Sequence, residues 1–330
     1  MIKPPAFVTL ASGIGDLISS TPLIRKLSEV YNKKVLVVTE KCNIKIFQTL
    51  PYVSGALPFD NTSNIVRADI KHLYDIHETF RLIGKRNKDG IEFKHAMCDI
   101  RQFHAKDLGL LLRPDELHCD YIPGEDVSYF ETLNLPENYI VIHPVKSWKS
   151  RTWEAKKWQK LCDSLAEEGI YVVAVGKEAI EYRNIEKTKV INKPSHDISL
   201  NFGVNLINKT NLDQTWYILN NAKAVITMDS GILHLAGTTD THIIQLGSSI
   251  DPVYRAPYRN GTQEYKYTYL PGTCNIHCAS DLKYSLRDWG NIQRVTIIDT
   301  CLEKDKNFEC KPGVDHVINN TIGIYKKLII

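Results

Sequence analysis

Lys223-Ala-Val-Ile-Thr-Met-Asp-Ser-Gly-Ile-Leu-His-Leu235 reads as a short buried strand that hands over to a helix at Asp229-Ser230-Gly231. A parallel strand running into a helix N-terminus collects unpaired backbone N–H groups and the positive end of a helix dipole, which suits a phosphate or diphosphate. Gly231 lets a ligand approach the backbone closely. His234 follows three residues later and so lies on the same helical face. The plainer reading is that Asp229 or Ser230 caps the helix, as such residues often do.

A second turn of this kind stands near the N-terminus. Ala6-Phe-Val-Thr-Leu10 reads as a first strand, Ala11-Ser-Gly-Ile-Gly-Asp16 as a loop, and Leu17 to Leu27 as a helix. Gly13 and Gly15 open the loop backbone. Ser19 and Ser20 stand where a dinucleotide fingerprint would carry its third glycine. Asp16 at the helix entrance repels a phosphate and is better placed to accept a proton from a substrate hydroxyl. The alternative is an ordinary first-turn acid that favours the helix dipole.

Between and beyond these turns, strands alternate with helices. Strands are expected at Lys34–Thr39, His72–Ile76, Tyr139–His143, Ile170–Val175, Ala224–Met228 and His242–Leu246, and helices at Glu154–Glu168, Leu212–Ala222 and Ile232–Thr238. A broken helical pattern runs from Phe93 to Leu112. Continuous Val/Ile strands spaced by helices imply parallel sheets covered on both faces. The pattern stops in a polar stretch and restarts at Tyr139. The expected layout is therefore an N-terminal Rossmann-like domain over 1–125, a linker over 126–138 and a C-terminal Rossmann-like domain over 139–330, with a final helix and a cysteine-containing segment at 274–310. The two domains are expected to face each other across a cleft.

Composition fits such a fold. In 330 residues, 43% hydrophobic and 24% charged residues indicate a globular chain with a full core. A net charge of +3 is too small to point to nucleic acid as partner. No apolar run approaches a membrane span, and Met1-Ile-Lys-Pro-Pro lacks the core of a signal peptide, so the expected location is cytoplasmic. Eight cysteines in such a chain do not suggest a disulfide scaffold.

The restart carries a basic loop, His143-Pro-Val-Lys-Ser-Trp-Lys-Ser-Arg-Thr-Trp153. Lys146, Lys149 and Arg151 sit at the carboxyl end of a parallel strand, where open α/β sheets bind ligands. Cations there neutralise an anion, and Arg151 does so with a forked contact. A solvated basic loop is the competing reading. Trp148 and Trp153 favour function, since large aromatics in loops are unusual unless packed or binding.

Taken in register, these motifs resemble the ADP-heptose glycosyltransferases, the heptosyltransferase-like family of bacterial lipopolysaccharide synthesis. The likeness rests on Gly13-Ile-Gly-Asp16 with Thr21-Pro22, on His143-Pro144, Trp148 and Arg151-Thr-Trp153, on Asp229-Ser-Gly231 with His234-Leu235, and on Gly247, Asp251-Pro252 and Pro257-Tyr258. It implies an α/β fold of the GT-B type and an inverting transfer from a nucleotide sugar to a hydroxyl of a glycan or protein. The family's catalytic carboxylate maps onto Asp16. Its phosphate-contacting lysine maps onto Arg151, and Val145 replaces the usual glycine after His-Pro. With no Asp-x-Asp pair in the sequence, the leaving diphosphate is expected to be held without a catalytic metal, by Lys149, Arg151, Asp229, Ser230, Gly231 and His234. The other readings are a nucleotide-sugar-binding protein without activity and a glycosyltransferase acting on nucleic acid.

Cys274, Cys278, Cys301 and Cys310 fall within one segment of weak hydrophobic patterning. Four thiolates there would hold a tetrahedral structural metal. A cysteine finger in this region resembles the autotransporter heptosyltransferases, which glycosylate proteins and carry iron; zinc is chemically just as suitable. Four ordinary thiols are the alternative, as Cys42, Cys98, Cys119 and Cys162 show that the chain uses cysteine freely.

Overall fold

The structure is a computed structural model that describes residues 6–9, 13–58, 73–75, 99–106, 109–124, 128–145, 149–183, 189–193, 197–274, 276–278, 280, 301 and 308–330. The chain divides into two compact units, residues 1–124 with 253–265, and residues 125–252 with 266–330.

The first unit is built on four parallel strands, β1 (Ala6–Thr9), β2 (Val35–Thr39), β3 (Val53–Pro58) and β4 (Leu73–Asp75), in the order β3-β2-β1-β4. Consecutive strands β1, β2 and β3 step outward in one direction, and β4 returns to the other side of β1. The gap between β1 and β4 is therefore a topological switch point, where a crevice opens at the carboxyl ends of an α/β sheet. After β1 the expected single helix is two, Ile14–Ser19 and Thr21–Tyr31, divided at Ser20. Pro22 starts the second helix, where its missing N–H costs nothing. Asn32 in the left-handed region (φ 49°) ends it.

The second unit repeats the plan with six parallel strands. β5 (Tyr139–Ile142), β6 (Tyr171–Ala174), β9 (Gly203–Asn205), β10 (Ala224–Thr227), β11 (His242–Leu246) and β12 (Tyr267–Leu270) lie in the order β12-β11-β10-β5-β6-β9. This is the Rossmann strand order, with its switch point between β5 and β10. The antiparallel pair β7 (Ala179–Arg183) and β8 (Lys189–Lys193) stands apart. In helix Ala155–Glu167, Trp158, Leu161, Cys162 and Leu165 are buried at spacings of three and four, so one stripe faces the sheet. Helix Val314–Leu328 buries Val317, Ile318, Thr321 and Tyr325 in the same way and packs beside it. A capping box between Asn211 and Gln214 starts helix Leu212–Asn220. Gly203 is required in β9, because a Cβ there would stand 2.1 Å from the Val172 carbonyl oxygen.

Segment 253–265 leaves the second unit's sequence and joins the first unit. Arg101, fully buried, anchors it: one Nη donates to the Ala256 carbonyl at 3.0 Å, and the guanidinium lies 4.8 Å from the Tyr258 ring centre. The same guanidinium pairs with Asp99, its Nε donating at 2.8 Å. Removing one partner of a buried pair leaves an uncompensated charge. Arg101→Leu is therefore expected to destabilise the first unit by about 3 kcal/mol, and Arg101→Leu with Asp99→Asn by clearly less. Chemical denaturation of both variants checks this; equal losses would mean that the pair's charge is not what matters.

Candidate active site

The site in the second unit grows from the switch point. His143 follows β5, and its backbone N–H still bonds to the Ile226 carbonyl of β10 at 3.1 Å. β10 ends at Thr227, and Met228 and then Asp229 follow, Asp229 being 2% exposed. A carboxylate this buried needs a partner. Arg151 supplies it, its Nη1 donating to Asp229 Oδ2 at 3.1 Å, and His234 Nε2 stands 4.0 Å from the other oxygen. Arg151 closes a 3₁₀ turn, Lys149–Arg151, in the basic loop after β5. The structure thus brings Arg151, Asp229, Ser230 and His234 together, and it adds a requirement that sequence reading did not contain. Arg151 compensates a buried acid, so a change to alanine would leave that acid unpaired as well as removing a ligand contact.

Ser230 is the N-cap residue of helix Gly231–Ala236, but its side chain makes no capping hydrogen bond. Its hydroxyl lies 3.0 Å from Thr227 Oγ1 and 3.3 Å from His143 Nδ1. The residue occupies the cap position, but its hydroxyl links the ends of β5 and β10 rather than bonding a helix N–H. His143 itself was expected only as part of a motif. Its environment requires space next door: Gly176, at φ +139°, would place a Cβ 2.5 Å from Val145 and 2.9 Å from the His143 ring.

Trp153 is a core residue rather than a ligand contact. It is buried edge-on against Trp158, centroids 4.9 Å apart, and its indole N–H donates to the Pro312 carbonyl at 2.9 Å. Lys149 is exposed, with its ammonium 5.8 Å from the Phe308 ring centre. Lys146 and Trp148 lie outside the described residues.

In the first unit Asp16 lies in the first turn of the helix that follows β1, at that sheet's own switch point. Gly13 is extended (φ −89°), and a Cβ on it would fall 2.8 Å from Asp16 Oδ2. The Asp16 carboxylate therefore lies close over the loop at Gly13. Gly15 lies inside the helix Ile14–Ser19 rather than in the loop. Asp16 is half-buried.

Three of the four C-terminal cysteines gather. Cys274 and Cys310 are buried with Phe308, and Cys301 packs against them. Burial, together with the neighbouring Cys274 and Cys301, pushes the Cys310 thiol up to about 11, against the opposing pull of Lys311. Soft donors crowded in this way suit a thiophilic cation. Among the described residues, no group of three or more His, Cys, Asp or Glu side chains is already arranged around a metal position. Cys278 is half-buried, and His277 turns its Nδ1 towards the Ser248 carbonyl at 3.4 Å. A cavity of about 500 Å³ opens at the opposite, amino-terminal edge of the same sheet, lined by Glu137, Lys223, Asp240 and Lys266 among others. Its Lys266 and Asp240 pair with each other. No helix among the described residues is long and apolar enough to cross a membrane.

The family model described as "Glycosyltransferase family 9 (heptosyltransferase)" matches residues 90–274, more than half of the chain. A lipooligosaccharide heptosyltransferase 2 of Haemophilus influenzae is 29% identical over 108 residues, which span 33% of this chain and 30% of that protein's length. A family 9 glycosyl transferase from Veillonella parvula superposes with a TM-score of 0.63 at 12% identity, covering 99% of both chains. TibC, a dodecameric iron-containing heptosyltransferase from enterotoxigenic E. coli, superposes in complex with ADP-D-beta-D-heptose with a TM-score of 0.64 at 14% identity, over 98% of this chain and 77% of that one. These structural likenesses place the fold in the GT-B class, α/β with two Rossmann-like units.

Burial holds His143 neutral, lowering it from the usual histidine value to about 4. The unfolded chain binds this proton at ordinary histidine pH and the folded chain does not. Stability from this group is therefore fully present above about pH 6.5 and is lost as pH falls towards 4, by at most about 1.4 kcal/mol per pH unit. His143→Asn is expected to flatten that slope. Denaturation midpoints between pH 4 and 7 measure it; an unchanged slope would place the titration elsewhere.

Proposed function

We propose, from the premise that the chain belongs to glycosyltransferase family 9 (heptosyltransferase), that it is an inverting transferase. It moves a sugar, a heptose by the family's default, from an ADP-linked donor onto a hydroxyl of a glycan or protein acceptor. The observation that carries this reading is the gathering of Arg151, Asp229 and Ser230 at the carboxyl ends of β5 and β10. A cation fixed by a buried acid at a Rossmann switch point is suited to an anionic nucleotide.

The residues divide the reaction as follows. Arg151 and Lys149 face the donor diphosphate, with the backbone at Ser230-Gly231 and the neighbouring His234 completing its surroundings. Asp229 orients Arg151. The acceptor hydroxyl gives its proton to Asp16, and its oxygen attacks the anomeric carbon from the side opposite the diphosphate. The bond to the diphosphate breaks, its electron pair leaves with the nucleoside diphosphate, and the cations stabilise the charge that develops there. Gly13 leaves room for the Asp16 carboxylate beside the loop.

Cys274, Cys278, Cys301 and Cys310 are proposed to hold a structural zinc or iron ion. The crowding of three of these thiols supports this, and the metal would order the segment without entering the transfer. Protein purified without added metal is expected to carry about one equivalent of metal, and Cys310→Ser to lose it. Elemental analysis showing well under one equivalent in the unmodified protein would leave four ordinary thiols.

Asp16→Asn keeps the side-chain shape and removes the proton acceptor. Turnover should fall about 10²- to 10⁴-fold with ADP affinity unchanged. Product formation and calorimetry read the two effects separately. Near-normal turnover in the Asn variant would move the base elsewhere and overturn this mechanism.

A further inference from the structure

Residues 308–312 form a strap across the carboxyl edge of the six-stranded sheet. The Gly272 and Cys274 amides donate to the Cys310 and Glu309 carbonyls at 3.2 and 3.1 Å. The approach is close enough to require two glycines. A Cβ on Gly247 would stand 2.5 Å from the Cys310 oxygen, and one on Gly272 would stand 2.0 Å from the Glu309 oxygen. From this anchorage the strap grips the basic loop after β5. Lys311, nearly buried, donates from Nζ to the Thr152 carbonyl at 2.9 Å and to Glu154 Oε1 at 3.1 Å. The Trp153 indole N–H donates to the Pro312 carbonyl.

Phe308 is the unusual member. Its backbone lies in the left-handed region at φ +63°, a conformation that a bulky residue rarely adopts. Its buried ring is approached by two ammonium groups, Lys311 at 5.1 Å and Lys149 at 5.8 Å from the centroid. Two cations on one ring repel each other. Lys311 is neutralised by Glu154. Among the described residues Lys149 pairs with no carboxylate, so its charge remains available to a ligand.

We propose that Phe308 is a positioning residue for donor binding: its ring holds the Lys149 ammonium on the Arg151 turn, so that the strap presents a second cation to the nucleoside diphosphate. This rests on the donor-site reading given above. A lysine side chain is otherwise free to sample many rotamers, and fixing it before the ligand arrives removes that cost from binding. The strap also belongs to the thiol cluster, because Phe308 packs with Cys274 and Cys310. Whatever orders those cysteines therefore orders Lys149.

Calorimetry on the full chain with ADP, and separately with inorganic diphosphate, tests the proposal. Phe308→Leu should weaken both ligands about two- to fivefold, the affinity equivalent of one cation–π contact. Phe308→Tyr keeps the ring face and should bind as the unmodified protein does. Lys149→Met should weaken binding too, and adding Phe308→Leu to it should cost nothing more. Thermal unfolding confirms that each variant is folded; if the Leu variant is not, Phe308→Met replaces it. Wild-type affinity in the Leu variant beside a weakened Lys149→Met, or losses that add in the double variant, overturns the role of Phe308 alone. Undiminished affinity in both Lys149→Met and Arg151→Gln overturns the donor-site reading and this proposal with it.

Discussion

A carboxylate at the end of a central strand, almost wholly out of solvent, sets the terms for the second unit. Asp229 stands two residues past the end of β10 and is 2% exposed. Left alone it would cost several kcal/mol, so its neighbours are constrained to answer it. Arg151 reaches it from the loop after β5 and His234 from the helix after β10. The basic loop is held in turn by Trp153 in the core and by Lys311 on the strap. Each contact adds a restraint to the place where an anionic donor is expected. Rigidity of this kind is what a binding site needs from its supporting residues.

The same carboxylate gives Arg151 a structural task besides the donor contact proposed for it. Arginine offers five donors in a planar fork, and the Asp229 contact uses one end of it. Lysine keeps the charge but not the geometry. The buried Asp229 gives a physical reason for a forked side chain at this position.

Much of this was legible in the sequence, for physical reasons. Runs such as Ala224-Val-Ile-Thr227 and Tyr139-Ile-Val-Ile142 have continuous β-branched character because both their faces are covered. The stripe Trp158, Leu161, Cys162 and Leu165 fixes its helix by spacing. The turns at Asp16 and Asp229 were visible because Gly, Ser and Asp cluster where strands meet helices. Other features carry no local signal. β12, Tyr267–Leu270, alternates with nothing and follows a polar loop, and β9 is three residues long. The passage of 253–265 into the first unit depends on Arg101, more than 150 residues earlier. Trp153 looked like a ligand contact because its packing partners, Trp158 and Pro312, are only in part nearby in the chain. Phe308 could not be found at all by pattern, since its partner Lys149 is remote and its strain is a backbone property.

A crystal structure of the protein with ADP bound tests the donor site most directly. The diphosphate is expected at the carboxyl ends of β5 and β10, within hydrogen-bonding distance of Arg151, with Asp229 still holding the guanidinium from behind. A diphosphate bound elsewhere, such as the cavity at Lys223 and Lys266, with no contact to Arg151, would contradict it.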